Sequence, residues 1–380
     1  MKKSLILTLS LIFSIPFSGL ARDWYISANG KDTNPGTKEQ PRRSLQKIQS
    51  KLRPGDTVFI MPGIYNQSLV LDNKGGTAAA PITLKKSGAA PVIFTVPDQT
   101  IKNPEYLAAE KMYKFPADKK VIAISAKTPS DVFYLDPAAT LDALKKQKSG
   151  FFYDKNEKVC YCKIRGTAKE ISFSTLAKTI RWDVRSSHIV LDGLTFNTGY
   201  GIAISGSNVQ VLNCRIENIL YGFNSGLWIN GKNVTVKNTI LNNVFNGIIL
   251  RDAKNFSMDS CTISNSFAHG IYFVRKCDDI TLKNNIIQPR SGDAVYFENV
   301  PEKMKSDYNN LIPGKTGRLV YWQPSRKYLR TLTEYQEESG DLEEHSISEP
   351  VIFEKNFKLP AKHPSRNSGE NKTHQGATVP

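Results

Sequence analysis

Cysteine is scarce in this 380-residue sequence, and its number is odd. An odd number argues against a fully paired disulfide framework. Cys160 and Cys162 are two residues apart in a strand-like run, so both side chains are predicted to lie on one face of a strand. The sequence contains no pair of CxxC motifs and no Cys/His spacing typical of zinc. It therefore predicts no zinc site. The remaining cysteines are Cys214, Cys261 and Cys277.

Long apolar runs are missing after the first twenty residues, so no later segment is predicted to cross a membrane. The N-terminus has the pattern of an export signal. Lys2 and Lys3 precede an apolar stretch, and the small residues Gly19 and Ala21 form a plausible cleavage site. Pro16 and the shortness of the stretch argue against an anchor. We expect residues 1–21 to be removed and the mature protein to be secreted or periplasmic.

Acidic residues are outnumbered, with 35 Asp and Glu against 51 Lys and Arg. Without Lys2 and Lys3 the formal net charge falls from +16 to +14. A basic exported protein can concentrate an acidic partner at its surface, although the charge can also serve solubility alone. Lys and Arg are scattered rather than clustered, which argues against nucleic acid. We expect an acidic polysaccharide as partner, no membrane span, and a monomer.

Helical periodicity is missing from the central region, which instead repeats a strand pattern. Five similar segments begin 20 to 25 residues apart. In each segment apolar residues alternate, a residue that tolerates a sharp bend follows, and a second alternating stretch comes next. A glycine-led strand then completes the repeat. The segments begin at His188, Asn208, Asn233, Asn255 and Asp279, and the bends fall at Gly193, Asn213, Asn238, Ser260 and Asn284.

Such repeats predict an all-β fold in which each coil contributes three short strands. One coil cannot bury its own apolar face, but stacked coils form a continuous core. A second column of Thr198, Asn218, Asn243 and Asn265 is expected to hydrogen-bond from coil to coil. A helical solenoid and a leucine-rich repeat are both excluded, since neither pattern is present. We predict a parallel β-helix.

The regions outside the repeats are less regular. We expect the N-terminal region to contain a capping helix at residues 44–52, the inserted segment to be β-rich with a hairpin at residues 150–164, and the polar tail to be disordered. The predicted boundaries are 1–21 for the signal peptide, 22–96 for the N-terminal cap and first coils, 97–183 for the insertion, 184–312 for the regular coils, 313–359 for the closing region and 360–380 for the tail.

Several segments resemble secreted bacterial right-handed parallel β-helix proteins of the polysaccharide lyase and glycoside hydrolase kind, the pectate-lyase-like superfamily. The similar segments are WYISANGKDTNPGTKEQP (24–41), LRPGDTVFIMPGIY (52–65), GFFYDKNEKVCYCKI (150–164), SSHIVLDGLTF (186–196) and LTEYQEESGDLEEHSISEPVIFEKNFKL (332–359). The resemblance implies a right-handed β-helix, secretion and action on carbohydrate. It also implies calcium as a cofactor, but only Asp278 and Asp279 stand together, and no catalytic motif of the family is matched.

A binding surface is predicted on the sheet of glycine-led strands, because side chains alternate between core and solvent. One outward column contains three aromatic rings, which suit sugar rings because they combine apolar faces with polar edges. The next column and the rim of the sheet add polar and charged groups. The first column is Ala203, Trp228, Ile249, Tyr272 and Tyr296; the second includes Asn230, Arg251 and Glu298; the rim includes His269 and Asp293.

Two chemistries fit these residues. In a lyase, His269 removes the proton next to a uronate carboxylate, which Arg251 or Arg275 binds. In a hydrolase, two carboxylates flank the bond, from Asp293 and Glu298 or from Asp252 with either. We expect cleavage of a uronate-containing polysaccharide by β-elimination. The alternatives are a glycoside hydrolase and a non-catalytic glycan-binding surface protein, whose sugar would contact Trp228, Tyr272, Tyr296 and Asn230.

Overall fold

The protein is a right-handed parallel β-helix, as the repeats and the family resemblance predict. The computed structural model describes residues 21–72, 75–95, 99–102, 104–127, 132–164, 170–175, 180–197, 199–219 and 225–378. Almost all of the predicted export signal, and Thr198, lie outside these residues, so export stays a prediction. Three parallel sheets run along the solenoid, and each coil contributes one strand to each sheet.

The strands stack in register along the whole solenoid. The first sheet contains Asp23–Ile26, Thr57–Ile60, Ile82–Lys86, Ile189–Asp192, Val209–Leu212, Lys232–Lys237, Lys254–Asp259, Asp278–Lys283 and Met304–Asp307. The second contains Gly63–Tyr65, Val92–Thr95, Thr195–Asn197, Arg215–Glu217, Ile240–Asn242, Thr262–Ser264, Ile286–Gln288 and Asn310–Leu311. The third contains Leu69–Leu71, Trp182–Val184, Ile202–Ile204, Ser225–Ile229, Asn246–Leu250, Ile271–Phe273, Val295–Phe297, Val320–Trp322 and the antiparallel Lys327–Leu329.

The alternating apolar residues form one continuous core inside the coils. Ile202, Ile204, Ile271 and Phe273 of the third sheet are completely buried. Corresponding residues of adjacent coils lie side by side, for example Phe273 and Phe297, whose rings stack at 4.7 Å. The predicted alternation of side chains between core and solvent is therefore confirmed for this sheet. Burial of such columns is the main stabilising contribution of a solenoid.

The bends between the sheets are made by residues in the left-handed backbone region. Asn213, Asn238 and Asn243 have φ values of 53°, 47° and 52°, a conformation that asparagine tolerates better than most residues. Their side chains form ladders: the Asn238 Nδ2 donates to Asn213 Oδ1 at 2.7 Å, and the Asn243 Nδ2 donates to Asn218 Oδ1 at 2.6 Å. Within the predicted column the bond from Asn243 to Asn218 is thus present, whereas the Asn265 Nδ2 donates to Asn242 Oδ1 at 2.9 Å.

The N-terminal helix is shorter than expected. Only Gln46–Gln49 is helical, whereas the amphipathic pattern predicts a helix over residues 44–52. Leu45, Ile48 and Leu52 are nevertheless buried in the solenoid core. The apolar side of the segment therefore packs inward although only one helical turn forms. Its role as a cap stays a prediction. Among the described residues no helix is long and apolar enough to span a bilayer.

The insertion forms two antiparallel sheets outside the solenoid. One contains Gln99–Lys102, Val121–Lys127, Val132–Tyr134 and Glu170–Thr175, and the other Glu105–Leu107, Met112–Pro116, Gly150–Asp154 and Val159–Lys163. Gly150–Asp154 and Val159–Lys163 pair as the predicted hairpin, and helix Leu141–Lys146 packs beside them. Cys160 and Cys162 both lie in the core of this unit, and all five cysteines are buried and free. The solenoid resumes at Trp182–Val184, so the insertion ends before residue 183.

The prediction of a disordered tail is wrong for residues 360–378, which are ordered. Short 3-10 turns at Pro364–Arg366 and Glu370–Lys372 follow helix Leu332–Ser339 and a turn at Lys355–Phe357. Thr378 N–H donates to Asn238 Oδ1 at 2.7 Å, and Ala377 N–H donates to Thr262 Oγ1 at 2.9 Å. Few apolar residues are available to bury in this segment, but the coils offer polar side chains that satisfy its backbone.

Replacement of Asn243 should separate the two contributions of the asparagine ladder. Asn243→Ala removes the buried hydrogen bond to Asn218. It also leaves alanine, whose side chain forms no hydrogen bond, in the left-handed conformation at a φ of 52°. We expect the free energy of unfolding to fall by about 2–3 kcal/mol. Asn243→Gly loses the same bond without the steric cost, so it should be about 1 kcal/mol more stable than the alanine variant. Urea unfolding measures both; a glycine variant no more stable than the alanine variant would show that backbone conformation is unimportant here.

Candidate functional site

Aromatic side chains form a column on the outer face of the third sheet. Ala203, Trp228, Ile249, Tyr272 and Tyr296 occupy paired positions on successive strands, as the sequence predicts. Trp228, Tyr272 and Tyr296 are half-buried, while Ile249 is almost completely covered. Side chains in this column share one face because the strands pair without a register shift. The three rings therefore remain partly open to solvent.

His269 lies at the rim of this column, in the turn that leads into Ile271–Phe273. Its backbone N–H donates to Asn246 Oδ1 of the preceding coil at 3.2 Å. The imidazole centroid lies 5.3 Å from the ring of Tyr272 and 4.5 Å from that of Tyr296. The imidazole is thus held against two tyrosine rings, with 18% of its side chain exposed.

Asp293 lies behind His269 and is completely buried. Its Oδ2 is 3.0 Å from His269 Nδ1, within ion-pair distance, although the orientation is not that of a hydrogen bond. Arg318 approaches from the other side, with Nε 3.1 Å from Oδ1. A Cβ at Gly292 would lie 1.5 Å from the carbonyl oxygen of Ala268, so only glycine permits the close approach of coils that places Asp293 here.

The burial of Asp293 bears on its predicted role as one of two hydrolytic carboxylates. A carboxylate with no exposed surface cannot contact a polysaccharide directly, and here it is already paired with His269 and Arg318. A hydrolase needs two carboxylates that reach the same bond. The pairing of Asp293 with Glu298 or Asp252 as hydrolytic acid and base is therefore not supported. Asp293 is instead a buried charged neighbour of the imidazole, 3.0 Å from Nδ1.

Tyr272 and Glu298 form a second polar pair on the same surface. The Tyr272 hydroxyl donates a short hydrogen bond to Glu298 Oε1. Burial raises the pKa of Tyr272, and the neighbouring Glu298 carboxylate raises it further. Burial also raises the pKa of Tyr296. Both phenols are therefore protonated around neutral pH and can act as hydrogen-bond donors.

The three remaining predicted residues are placed differently from one another. Arg251 lies two coils from Glu298 in the same outward column, with its guanidinium 6.0 Å from the Trp228 ring centroid. Asn230 occupies the corresponding position one coil earlier and is exposed. Arg275 is in the turn after its strand, 3.8 Å from Asp252. Arg251 and Asn230 therefore lie on the outer face of the third sheet, in the column that contains Glu298. Arg275 instead faces the carboxylate of Asp252 in a turn.

Three residues of this surface are absent from the sequence prediction: Arg318, Tyr321 and Tyr328. Tyr321 pairs with Tyr296 and stacks on it at 4.6 Å, and Tyr328 follows on the antiparallel strand. The signal for Tyr321 is present in the sequence, since Val320 and Trp322 continue the inward alternation on either side of it. Arg318 and Tyr328 carry no such signal, because the repeat ends before an antiparallel strand.

The insertion contacts the solenoid beside this surface. Asp136 Oδ1 lies 3.6 Å from Arg290 Nη1, in the turn between the second and third sheets. Burial raises the pKa of Asp136, and the positive charges of Arg290 and Lys315 partly offset this effect. The insertion therefore borders the third sheet at the level of Tyr296 and Tyr321. It leaves Tyr328 with 46% of its surface exposed.

A calcium site is not supported by the residues present. Within the described ranges no group of three or more Asp, Glu, His or Cys side chains could hold a metal ion. Asp278 and Asp279 begin a strand of the first sheet, where Asp278 pairs with Lys254. They are therefore on a different face from the aromatic column, and we assign no step to a metal.

Comparisons with known sequences agree with the fold. Residues 180–330 match the family described as "Right handed beta helix region". A curated relative, the uncharacterized protein YwoF of Bacillus subtilis, is 35% identical over 116 residues, which cover 30% of this chain and 24% of the relative. Pectate lyase PEL9 of Emericella nidulans is 34% identical over 76 residues, 20% of this chain and 18% of the relative. The chain thus spans less than a quarter of the length of these relatives.

A solved structure titled "Glycoside hydrolase" superposes with a TM-score of 0.52 at 10% sequence identity. The superposition covers 82% of this chain and 90% of the other. At such low identity the likeness concerns the fold alone. The match of residues 180–330 to the right-handed β-helix family model thus agrees with the fold.

Proposed function

We propose that this chain is an exported carbohydrate-active protein that cleaves a uronate-containing polysaccharide by β-elimination on the third sheet. The observation that carries the proposal is His269, whose imidazole lies among the tyrosine rings with the buried Asp293 behind it. Such a histidine can exchange a proton with a bound sugar, while the rings offer stacking surfaces. The pectate lyase that matches 20% of this chain supports the carbohydrate class.

The reaction assigns a separate task to each group. His269 takes the proton from the ring carbon next to the uronate carboxylate, and a positive charge stabilises the negative charge that develops there. The electrons left by that proton form a carbon–carbon double bond as the glycosidic carbon–oxygen bond breaks. The departing oxygen then takes a proton from Tyr272 or Tyr296. Both phenols carry a proton at neutral pH, and that of Tyr272 is donated to Glu298 in the absence of substrate.

Arg251 is the candidate for the carboxylate clamp. It lies in the same outward column as Glu298, and its guanidinium can bind a carboxylate through two donors. The net charge of +14 after removal of the signal also favours an acidic polymer. A hydrolase is less well supported, because Asp293 is buried and already paired. A non-catalytic glycan binder would use the same aromatic column and is therefore an outcome of the test.

Pectate, alginate and glycosaminoglycans form the test panel for the mature protein. We expect unsaturated uronate products, visible by their ultraviolet absorbance, from at least one of them. His269→Ala should lower kcat by at least about 100-fold, since general-base catalysis contributes roughly that much or more. The thermal unfolding of the variant should stay close to that of the parent. New reducing ends without the absorbance would indicate a hydrolase, and binding without either product would indicate a glycan binder.

Arg251→Ala should lower kcat/KM on an acidic polymer by about tenfold or more, because a charge-assisted hydrogen bond to the carboxylate is lost. Arg275→Ala is the matched control, since it removes the same charge from a turn where Arg275 faces Asp252. We expect it to change kcat/KM by less than about twofold, given the small energies of exposed ion pairs. Equal losses in the two variants would mean that only total charge matters and that Arg251 binds no carboxylate.

A further inference from the structure

We infer that Tyr321 and Tyr328 form a further sugar-binding subsite on the C-terminal side of His269, so that substrate lies on both sides of the reaction centre and is cut internally. The inference rests on the proposed function for the site, but the binding it predicts does not depend on catalysis. Neither tyrosine belongs to the predicted site. Both extend its aromatic column beyond the coil of Tyr296.

The two tyrosines continue the existing column geometrically. Tyr321 stacks on Tyr296 with centroids 4.6 Å apart and planes 21° apart, and Tyr328 lies 4.9 Å from Tyr321 at 47°. Tyr328 is among the most exposed large hydrophobic side chains of the described residues, at 46%. A strongly exposed ring next to a partly covered one offers a new apolar face at the end of a polar surface.

Packing behind the pair makes this surface rigid. Trp322, the residue after Tyr321, packs into the solenoid core. Its ring centroid lies 5.1 Å from that of Phe297 and 5.6 Å from that of Tyr335. Tyr335 belongs to helix Leu332–Ser339, whose Glu338 binds Lys327 on the strand of Tyr328. Both strands are therefore fixed before a ligand arrives. A preformed surface loses little side-chain freedom on binding, which favours affinity.

Arg318 connects this surface to the reaction centre. Its guanidinium lies 4.3 Å from the ring centroid of Tyr328, and the same group contacts the Asp293 carboxylate that faces His269. Thirty per cent of the Arg318 side chain is exposed. A uronate carboxylate over Tyr328 would find a positive charge there, as a carboxylate near Trp228 would find Arg251.

The reaction centre lies in the interior of the column rather than at its end. Trp228 stands two strands before Tyr272, and Tyr328 stands two strands after Tyr296. The six strands from Trp228 to Tyr328 span about 24 Å at the usual strand spacing. That length accommodates several sugar rings, with His269 near the middle. Bound polymer therefore continues in both directions, and cleavage yields oligomers rather than single terminal units.

Binding of short oligomers tests the subsite directly. Galacturonate and alginate oligomers of two, four and six residues would be titrated into the His269→Ala protein by calorimetry, so that no cleavage intervenes. We expect the six-residue oligomer to bind tightest, and Tyr328→Ala and Trp228→Ala each to weaken its binding by about five- to tenfold, as loss of an aromatic stacking face implies. Two-residue oligomers should be weakened less, because they need not reach both ends.

Tyr106→Ala is the matched control, because Tyr106 is an exposed tyrosine of the insertion, 53% exposed and outside the column. It should leave binding unchanged. Length-independent affinity, or full affinity in Tyr328→Ala, would overturn the subsite while leaving the reaction at His269 intact. Cleavage that releases only terminal units from a long polymer would likewise overturn it. If binding depends on oligomer length and on Tyr328, but the parent protein cleaves no substrate, the subsite is upheld and the β-elimination is rejected. If none of these oligomers binds, the subsite for them is overturned, and the reaction is then decided separately by the activity panel.

Discussion

The asparagine bends fix where every functional side chain lies. Asn213, Asn238 and Asn243 hold the left-handed conformation at the corners, and their side chains bond to the coil below. A bend that slipped by one residue would turn each following strand over and exchange its inner and outer faces. Because the corners do not slip, a position in one repeat lies directly over the same position in the next. The aromatic column is a consequence of this constancy.

Burial gives the same residue types different tasks on this scaffold. Asp293 and Glu298 are both carboxylates of this part of the third sheet, yet Asp293 is enclosed and paired with Arg318, while Glu298 is exposed and accepts a hydrogen bond from the Tyr272 hydroxyl. An enclosed carboxylate can hold a neighbouring imidazole in one orientation but cannot reach a ligand. Environment rather than residue identity therefore separates a carboxylate that acts only on its neighbours from one that is open to a ligand.

The features that repeat from coil to coil could be predicted from the sequence. The features that depend on contacts outside the repeat could not. Alternation identified the inward residues and placed Trp228, Tyr272 and Tyr296 on one outer column, because strand geometry has a fixed period. It did not show that Asp293 is enclosed, since that depends on the approach of Ala268 and Arg318 from neighbouring coils. The polar tail was wrongly expected to be disordered, because its composition shows only that it has few apolar residues to bury. The composition does not show the hydrogen bonds that the tail makes to side chains at the bends, such as Asn238.

The insertion leaves the solenoid after Val92–Thr95 and returns at Trp182–Val184, which pairs with Leu69–Leu71 of the preceding coil. Both attachment points lie in the same turn, between the second and third sheets. The strands on either side of the insertion therefore pair as they would if a short loop joined them. Lengthening a loop whose ends are already fixed costs little additional entropy. The insertion can therefore be exchanged, shortened or enlarged in evolution without moving the coils, so the region beside the aromatic surface can change shape while the surface itself stays in place.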